Sequence, residues 1–228
     1  MNDGYFATET LAFLTQLEAN NTRDWFNDNK ARYEEQVRGP ALDVIASFAP
    51  RLAEFAPRFR ADARKVGGSL MRPYRDTRFS KNKAPIKLNV GIQFRHDLGK
   101  DVHAPGYYLH VQPGNCFLGV GSWHPEPKAL AGIREAIDAS PIRWLAARDD
   151  GEFCSRFSLS GDSLVRPPKG YDKDNPMLED LKRKDFIAVM NLRDDQVLGE
   201  SLLDRMEEAY QAADPFMRFL CQAMKVPF

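Results

Sequence analysis

The sequence predicts an α+β fold: a mostly antiparallel sheet with helices packed around it, in one domain covering residues 1–228. Two patterns carry that prediction. Ile86, Leu88, Val90, Ile92 and Phe94 alternate strictly with polar or small residues, the period-two signature of a strand with one buried face. Helical spacing of apolar residues dominates before about residue 56 and returns after Trp123, on either side of a strand-rich middle. The chain divides into a helical part at about 8–56, a sheet-rich middle at about 69–122 and a mixed part at about 126–225.

In the first part Thr8 caps a helix bearing Leu11, Leu14 and Leu17, which Asn20-Asn21 ends. Thr22 caps a second helix through Trp25, Phe26 and Tyr33, with a stop expected at Gly39. Pro40 opens a third with Leu42, Ile45 and Phe48, and Pro50 is expected to break or restart it. In the middle, Tyr107–Val111 and Cys116–Val120 flank Gln112-Pro113-Gly114-Asn115, a hairpin signal. Beyond Trp123, Leu130, Ile133 and Ile137 are helically spaced, and Ser140-Pro141 starts the segment holding Trp144. Residues 157–159 and 163–165 around Gly161-Asp162 read as a short hairpin, and Phe186–Leu192 as a strand. Leu202, Leu203, Met206 and Tyr210 mark a last helix, extended past Pro215 by Phe216, Phe219 and Leu220. Trp25, Phe26 and Trp144 are assigned to core packing.

The chain's 228 residues suffice for a core without disulfide or metal staples. No apolar run approaches the roughly 18 residues of a membrane span, and Met1-Asn2-Asp3-Gly4 lacks the basic start of a signal peptide. Cys116, Cys154 and Cys221 are widely spaced, which fits reduced thiols. A cytoplasmic protein without membrane attachment or cofactor is the expectation. No oligomeric state follows from these features.

Charge is balanced overall, 32 basic against 32 acidic side chains, but not locally. Residues 1–50 carry 4 basic and 8 acidic groups, whereas residues 51–100 carry 13 and 4. Arg72, Arg75, Arg78, Lys81, Lys83 and Lys87 are opposed only by Asp76, and are interleaved with Tyr74, Phe79 and Pro85. Arginine suits bidentate contact with planar anions and lysine supplies point charge, so this segment fits a phosphate or carboxylate ligand. Ser80 belongs to the same candidate site, and Asp76 is placed to orient a guanidinium. A solvated charged face is the plain alternative.

Strand parity places Lys87, Asn89, Gly91 and Gln93 on one face, with Tyr108, His110 and Gln112, and with Phe117, Gly119, Gly121 and Trp123. Glycines among rings and amides mark either a pocket floor or a closely packed backbone. His110 is the general acid/base candidate on that face, unless it serves a structural hydrogen bond to a neighbouring strand or tyrosine.

Other chemistries fit less well. Ser80-Lys81-Asn82-Lys83 matches SxxK, but its SDN and KTG partners are missing. His96, His103 and His110, with Asp97 and Asp101, lack chelating spacing, so no metal is assigned.

The stretch Arg75-Asp76-Thr77-Arg78-Phe79-Ser80-Lys81-Asn82-Lys83-Ala84-Pro85-Ile86-Lys87 resembles the signature of domain-of-unknown-function family 2461. Pro105–His110, Gly119–Gly121 with Trp123 and Pro125–Pro127, and Pro168–Tyr171 through Lys184-Asp185-Phe186 are similar in order, as is Asn20-Asn21 with Asp24-Trp25-Phe26. Asn82, Ile86 and Asn175 depart from the family pattern, which has Asp, Tyr and His there. The resemblance implies one soluble domain and singles out the basic motif, without implying an activity, a cofactor or catalytic residues.

Three readings remain. The first is a pocket for a phosphate- or carboxylate-bearing small molecule, gripped by Arg72–Lys87 and shaped by Tyr108, His110 and Trp123. It would be compatible with metal-free, His-assisted transferase or hydrolase chemistry. The second is a nucleic-acid-binding module using the same charges and rings. The third is a scaffold in which the arginines pair with the acidic helices of residues 1–50.

Overall fold

The computed structural model describes residues 4–76, 78, 82–98 and 104–228. Helix α1 (Thr8–Ala19) is followed by α2 (Arg23–Asp28), where the Thr22 side chain accepts from the Trp25 N–H at 3.2 Å as expected of its cap. Helix α3 (Lys30–Tyr33) leads through a π-helical turn, Glu34–Arg38, into α4 (Gly39–Phe55).

Two expected breaks are absent. Gly39 donates its N–H to Glu34 O, five residues back, so the chain widens into a π turn and continues. Pro50 lies inside α4 on its exposed side, and the carbonyl that it leaves unpaired belongs to the equally exposed Ala46, where water can serve it.

Strand β1 (Phe59–Arg60) is followed by β2 (Val90–His96), β3 (Gly106–Val111) and β4 (Cys116–Ser122). Helices α5 (Pro127–Ala139), α6 (Pro141–Arg148) and α7 (Gly151–Arg156) precede β5 (Ser158–Ser160). Helix α8 (Leu178–Leu181), β6 (Phe186–Leu192), α9 (Asp194–Leu198), α10 (Leu202–Ala212) and α11 (Asp214–Ala223) complete the order. Among the described residues the strands form one antiparallel sheet in the order β1-β2-β3-β4-β6-β5. The fold is α+β.

Strand β2 starts later than the alternation suggests. Residues 86–89 instead run beside residues 73–74, through the Tyr74–Ile86 bridge and the Lys87 N–H to Pro73 O bond of 2.7 Å. The pairing continues along β2 through the Met71 N–H to Gly91 O bond of 2.9 Å and the Leu70–Ile92 bridge. The expected hairpin at Gly161-Asp162 does not form. Ser158–Ser160 pairs with β6, and Ser163 bridges Arg183, so the chain continues along its neighbour rather than folding back. Gly161 supplies the reason: at φ +96° its Cα passes so close to Asp185 that a Cβ would lie 2.4 Å from that residue's own Cβ.

Parity is as read. Ile92, Phe94, Tyr107, Leu109, Val111, Cys116, Leu118 and Val120 are buried on one face of the sheet. Helices α4 and α10 cover that face: Phe48 of α4 lies 5.3 Å from Phe94, and Tyr210 of α10 lies 4.8 Å from Tyr107, ring centre to ring centre. Trp144 of α6 and Phe216 of α11 extend this core beneath β6, and Phe26 is buried while Trp25 packs against its margin. Each fully buried aliphatic or aromatic side chain contributes about 1.5–3 kcal/mol relative to exposure. The Tyr210 hydroxyl donates to the Tyr108 carbonyl at 3.0 Å, tying α10 to β3 from below. Among the described residues, helices thus claim one face, and no helix covers the other. No described helix is long and apolar enough to cross a membrane.

Candidate functional site

The open face is built in rows by the strand registers. Gly91, His110, Phe117 and Asn191 face one another in one row; Gln93, Tyr108, Gly119 and Val189 form the next; Arg95, Gly106, Gly121 and Ile187 form a third. Glycines therefore alternate with rings, and the missing side chains leave a cleft of about 310 Å³. Its walls are mainly Met71, Tyr108, Phe117, Trp123, Ile187 and Val189. Gly121 is required here: at φ +112° it brings β4 so near β6 that a Cβ would meet Phe186 O at 2.1 Å.

Inside the cleft, the Tyr108 hydroxyl donates to His110 Nδ1 at 3.1 Å, and Asn89 Nδ2 reaches the Tyr108 oxygen at 3.4 Å. His110 Nε2 lies 3.2 Å from Gln112 Oε1, which makes Nε2 the protonated nitrogen and Nδ1 the acceptor. Phe117 stacks on the imidazole at 4.5 Å with 9° between planes. Burial lowers the His110 pKa and raises that of Tyr108 to about 12, so both are neutral near pH 7. Both nitrogens of His110 thus have partners within the protein.

A second cleft of about 200 Å³ adjoins the first and shares Met71 and Gln93 with it. Arg72, Lys87 and Arg95 border it. Burial, and then the charge of Arg72, push the Lys87 ammonium below its usual pKa. Arg95 stands directly opposite Arg60 in the β1–β2 pair, a like-charge cross-strand pair that costs stability unless compensated.

The remaining basic residues disperse. Arg75 borders a different surface hollow with Arg23, Asn27, Tyr74 and Pro85. Arg78 forms a 2.7 Å ion pair with Asp76, whose pKa it lowers to about 2, first through that hydrogen bond. Lys83 is exposed, and Phe79, Ser80 and Lys81 lie outside the described residues, as do Asp101 and His103. Among the described residues no group of three or more His, Cys, Asp or Glu side chains could hold a metal ion. His96 is buried, with Nε2 2.6 Å from Pro227 O.

The structure thus joins Tyr108, His110 and Trp123 in one cleft and Arg72 with Lys87 in the next, while Arg75 and Arg78 stand apart. Two features escaped the sequence. Arg60 and Arg95 meet only because a two-residue strand pairs there, too short to leave a pattern. His124 and Asp185, 61 positions apart, meet beside Trp123, a wall of the cleft; the only sequence signal is that Trp123-His124 follows the glycine-rich strand.

Neither the curated proteins nor the solved structures include one that matches this chain. A family model described as "Conserved hypothetical protein (DUF2461)" matches residues 9–219, and the chain belongs to that family.

Proposed function

We propose that this protein binds a small molecule with a carboxylate or phosphate on an apolar, ring-sized body. One observation carries the reading: the glycine-floored apolar cleft and the cleft bordered by Arg72, Lys87 and Arg95 share Met71 and Gln93, so one ligand can occupy both. The apolar body lies over Gly119 between Tyr108, Phe117 and Trp123, and the anion meets three cations that repel one another without it. Arg72, Lys87 and Arg95 form no ion pair with any described residue, which supports a ligand role over a scaffold role.

The test uses 1-anilinonaphthalene-8-sulfonate, an anion on an aromatic body, as a probe. Gly119→Ala places a methyl on the cleft floor in ordinary contact with Tyr108, at 3.5 Å, so the fold survives. The reading expects saturable binding to the native protein and at least tenfold weaker binding by this variant. Equal binding by both would overturn it.

A further inference from the structure

His124 is a second imidazole beside the cleft, and its setting differs from that of His110. Its Nδ1 lies 2.8 Å from Oδ1 of Asp185, whose side chain is 1% exposed, while the His124 side chain is 46% exposed. The His124 backbone N–H donates to the same oxygen at 2.7 Å, and the Asp162 N–H donates to Oδ2 at 2.9 Å. Asp185 is thereby fixed from three directions, and it holds the proton of a neutral His124 on Nδ1. That leaves the Nε2 lone pair outward, with no hydrogen bond to a described residue.

Two further observations point beyond a structural role. His124 has φ +48°, a conformation costly for a residue with a Cβ and concentrated at functional positions. Its ring lies against Trp123, centroid to centroid 4.3 Å, and Trp123 is a wall of the cleft. The imidazole therefore stands at the edge of that wall, beside the cleft in which the ligand is proposed to bind. No described residue lining the apolar cleft is Ser, Thr or Cys. The hydroxyl of Ser69 in the adjoining cleft is engaged, donating to Arg60 O at 3.1 Å and accepting from the Asp62 N–H at 3.0 Å, so water is taken as the nucleophile.

We infer that His124 and Asp185 form a general-base dyad that hydrolyses a carboxylate-bearing ester bound across the two clefts. The inference rests on the proposed binding mode for its choice of substrate, not for its chemistry. His124 Nε2 takes a proton from water as the water oxygen bonds to the ester carbonyl carbon. The bond from that carbon to the alcohol oxygen then breaks, and the departing oxygen receives the proton from Nε2–H. One ester and one water give one acid and one alcohol, and the imidazole returns to its neutral form. Asp185 acts as the positioning residue, keeping Nδ1 protonated and Nε2 aimed outward.

The experiment compares 4-acetoxybenzoate with phenyl acetate, which has the same ring and ester without the carboxylate, using the full chain. His124→Asn is the informative variant, because asparagine tolerates a left-handed backbone and keeps the N–H that donates to Asp185. The inference expects hydrolysis of both esters above the buffer rate, a loss of at least 100-fold in kcat/KM for both in His124→Asn, and an unchanged melting temperature. Arg72→Ala with Lys87→Ala should raise KM for 4-acetoxybenzoate alone. Wild-type rates no higher than buffer, or a fully active His124→Asn protein, would overturn the dyad. Equal KM values for the two esters with intact dependence on His124 would instead overturn the binding mode and leave the dyad standing.

Discussion

The Tyr108 hydroxyl and His110 Nδ1 are 3.1 Å apart on the open face of the sheet, joined although their backbones sit two residues apart on one strand. Phe117 closes the imidazole from the neighbouring strand and Gln112 caps its other nitrogen. Tyr108→Phe removes the hydroxyl and leaves Asn89 Nδ2 as the nearest donor to His110 Nδ1, at 3.4 Å. The expected cost is about 1 kcal/mol, the usual net value of one hydrogen bond, read as a lower midpoint in urea unfolding. The slowest-titrating tyrosines in a spectrophotometric titration, those ionising near pH 12 or above, should also fall by one in this variant.

A pH dependence follows from His110. Burial lowers its proton affinity in the folded chain, so between the folded value and the unfolded value of about 6.5 the unfolded chain binds more protons. Its contribution to stability is complete above that range and is lost as the pH falls through it. Thermal unfolding of the wild type should therefore lose more stability between pH 7.5 and 5 than His110→Gln does. Parallel curves would show that the imidazole is solvated.

Gly121→Ala tests how closely β4 and β6 approach. The added methyl would lie 2.1 Å from Phe186 O, in a backbone region that alanine rarely adopts. A loss on the order of 3 kcal/mol or more is expected, and failure to accumulate folded protein agrees with it. A stable Gly121→Ala protein would mean that the strands are further apart.

The strain at His124 makes a separate prediction. His124→Gly should cost less stability than His124→Ala by about 1 kcal/mol, because only the alanine keeps the Cβ that the left-handed conformation disfavours. Chemical denaturation of the two variants decides it, and equal midpoints would contradict the strained geometry.

The strand faces were legible because alternation is local: Ile92, Leu109 and Leu118 announce the buried side, and Tyr108, His110 and Phe117 follow on the other. Helix starts at Thr22 and Pro141 were legible for the same reason, since caps and first-turn prolines act within one turn. Gly39 and Pro50 misled because tertiary packing outweighs a single residue's preference within a long buried helix. Ser158–Ser160 misled because a nearby turn signal competed with a partner strand almost thirty positions away. The basic segment was visible as composition, but composition does not say which cations converge. Arg72 and Lys87 share a cleft because residues 69–74 run antiparallel beside residues 86–93, whereas Asp76 claims Arg78 locally.

The central claim is that one ligand spans an apolar cleft and a cationic one. The most direct measurement is a pair of fluorescence titrations with 1-anilinonaphthalene-8-sulfonate and N-phenyl-1-naphthylamine, the same aromatic body with and without its sulfonate. The account predicts that the wild type binds the sulfonate at least tenfold more tightly, and that Arg72→Ala with Lys87→Ala brings the two dissociation constants together. Equal affinity of the wild type for both probes would contradict it.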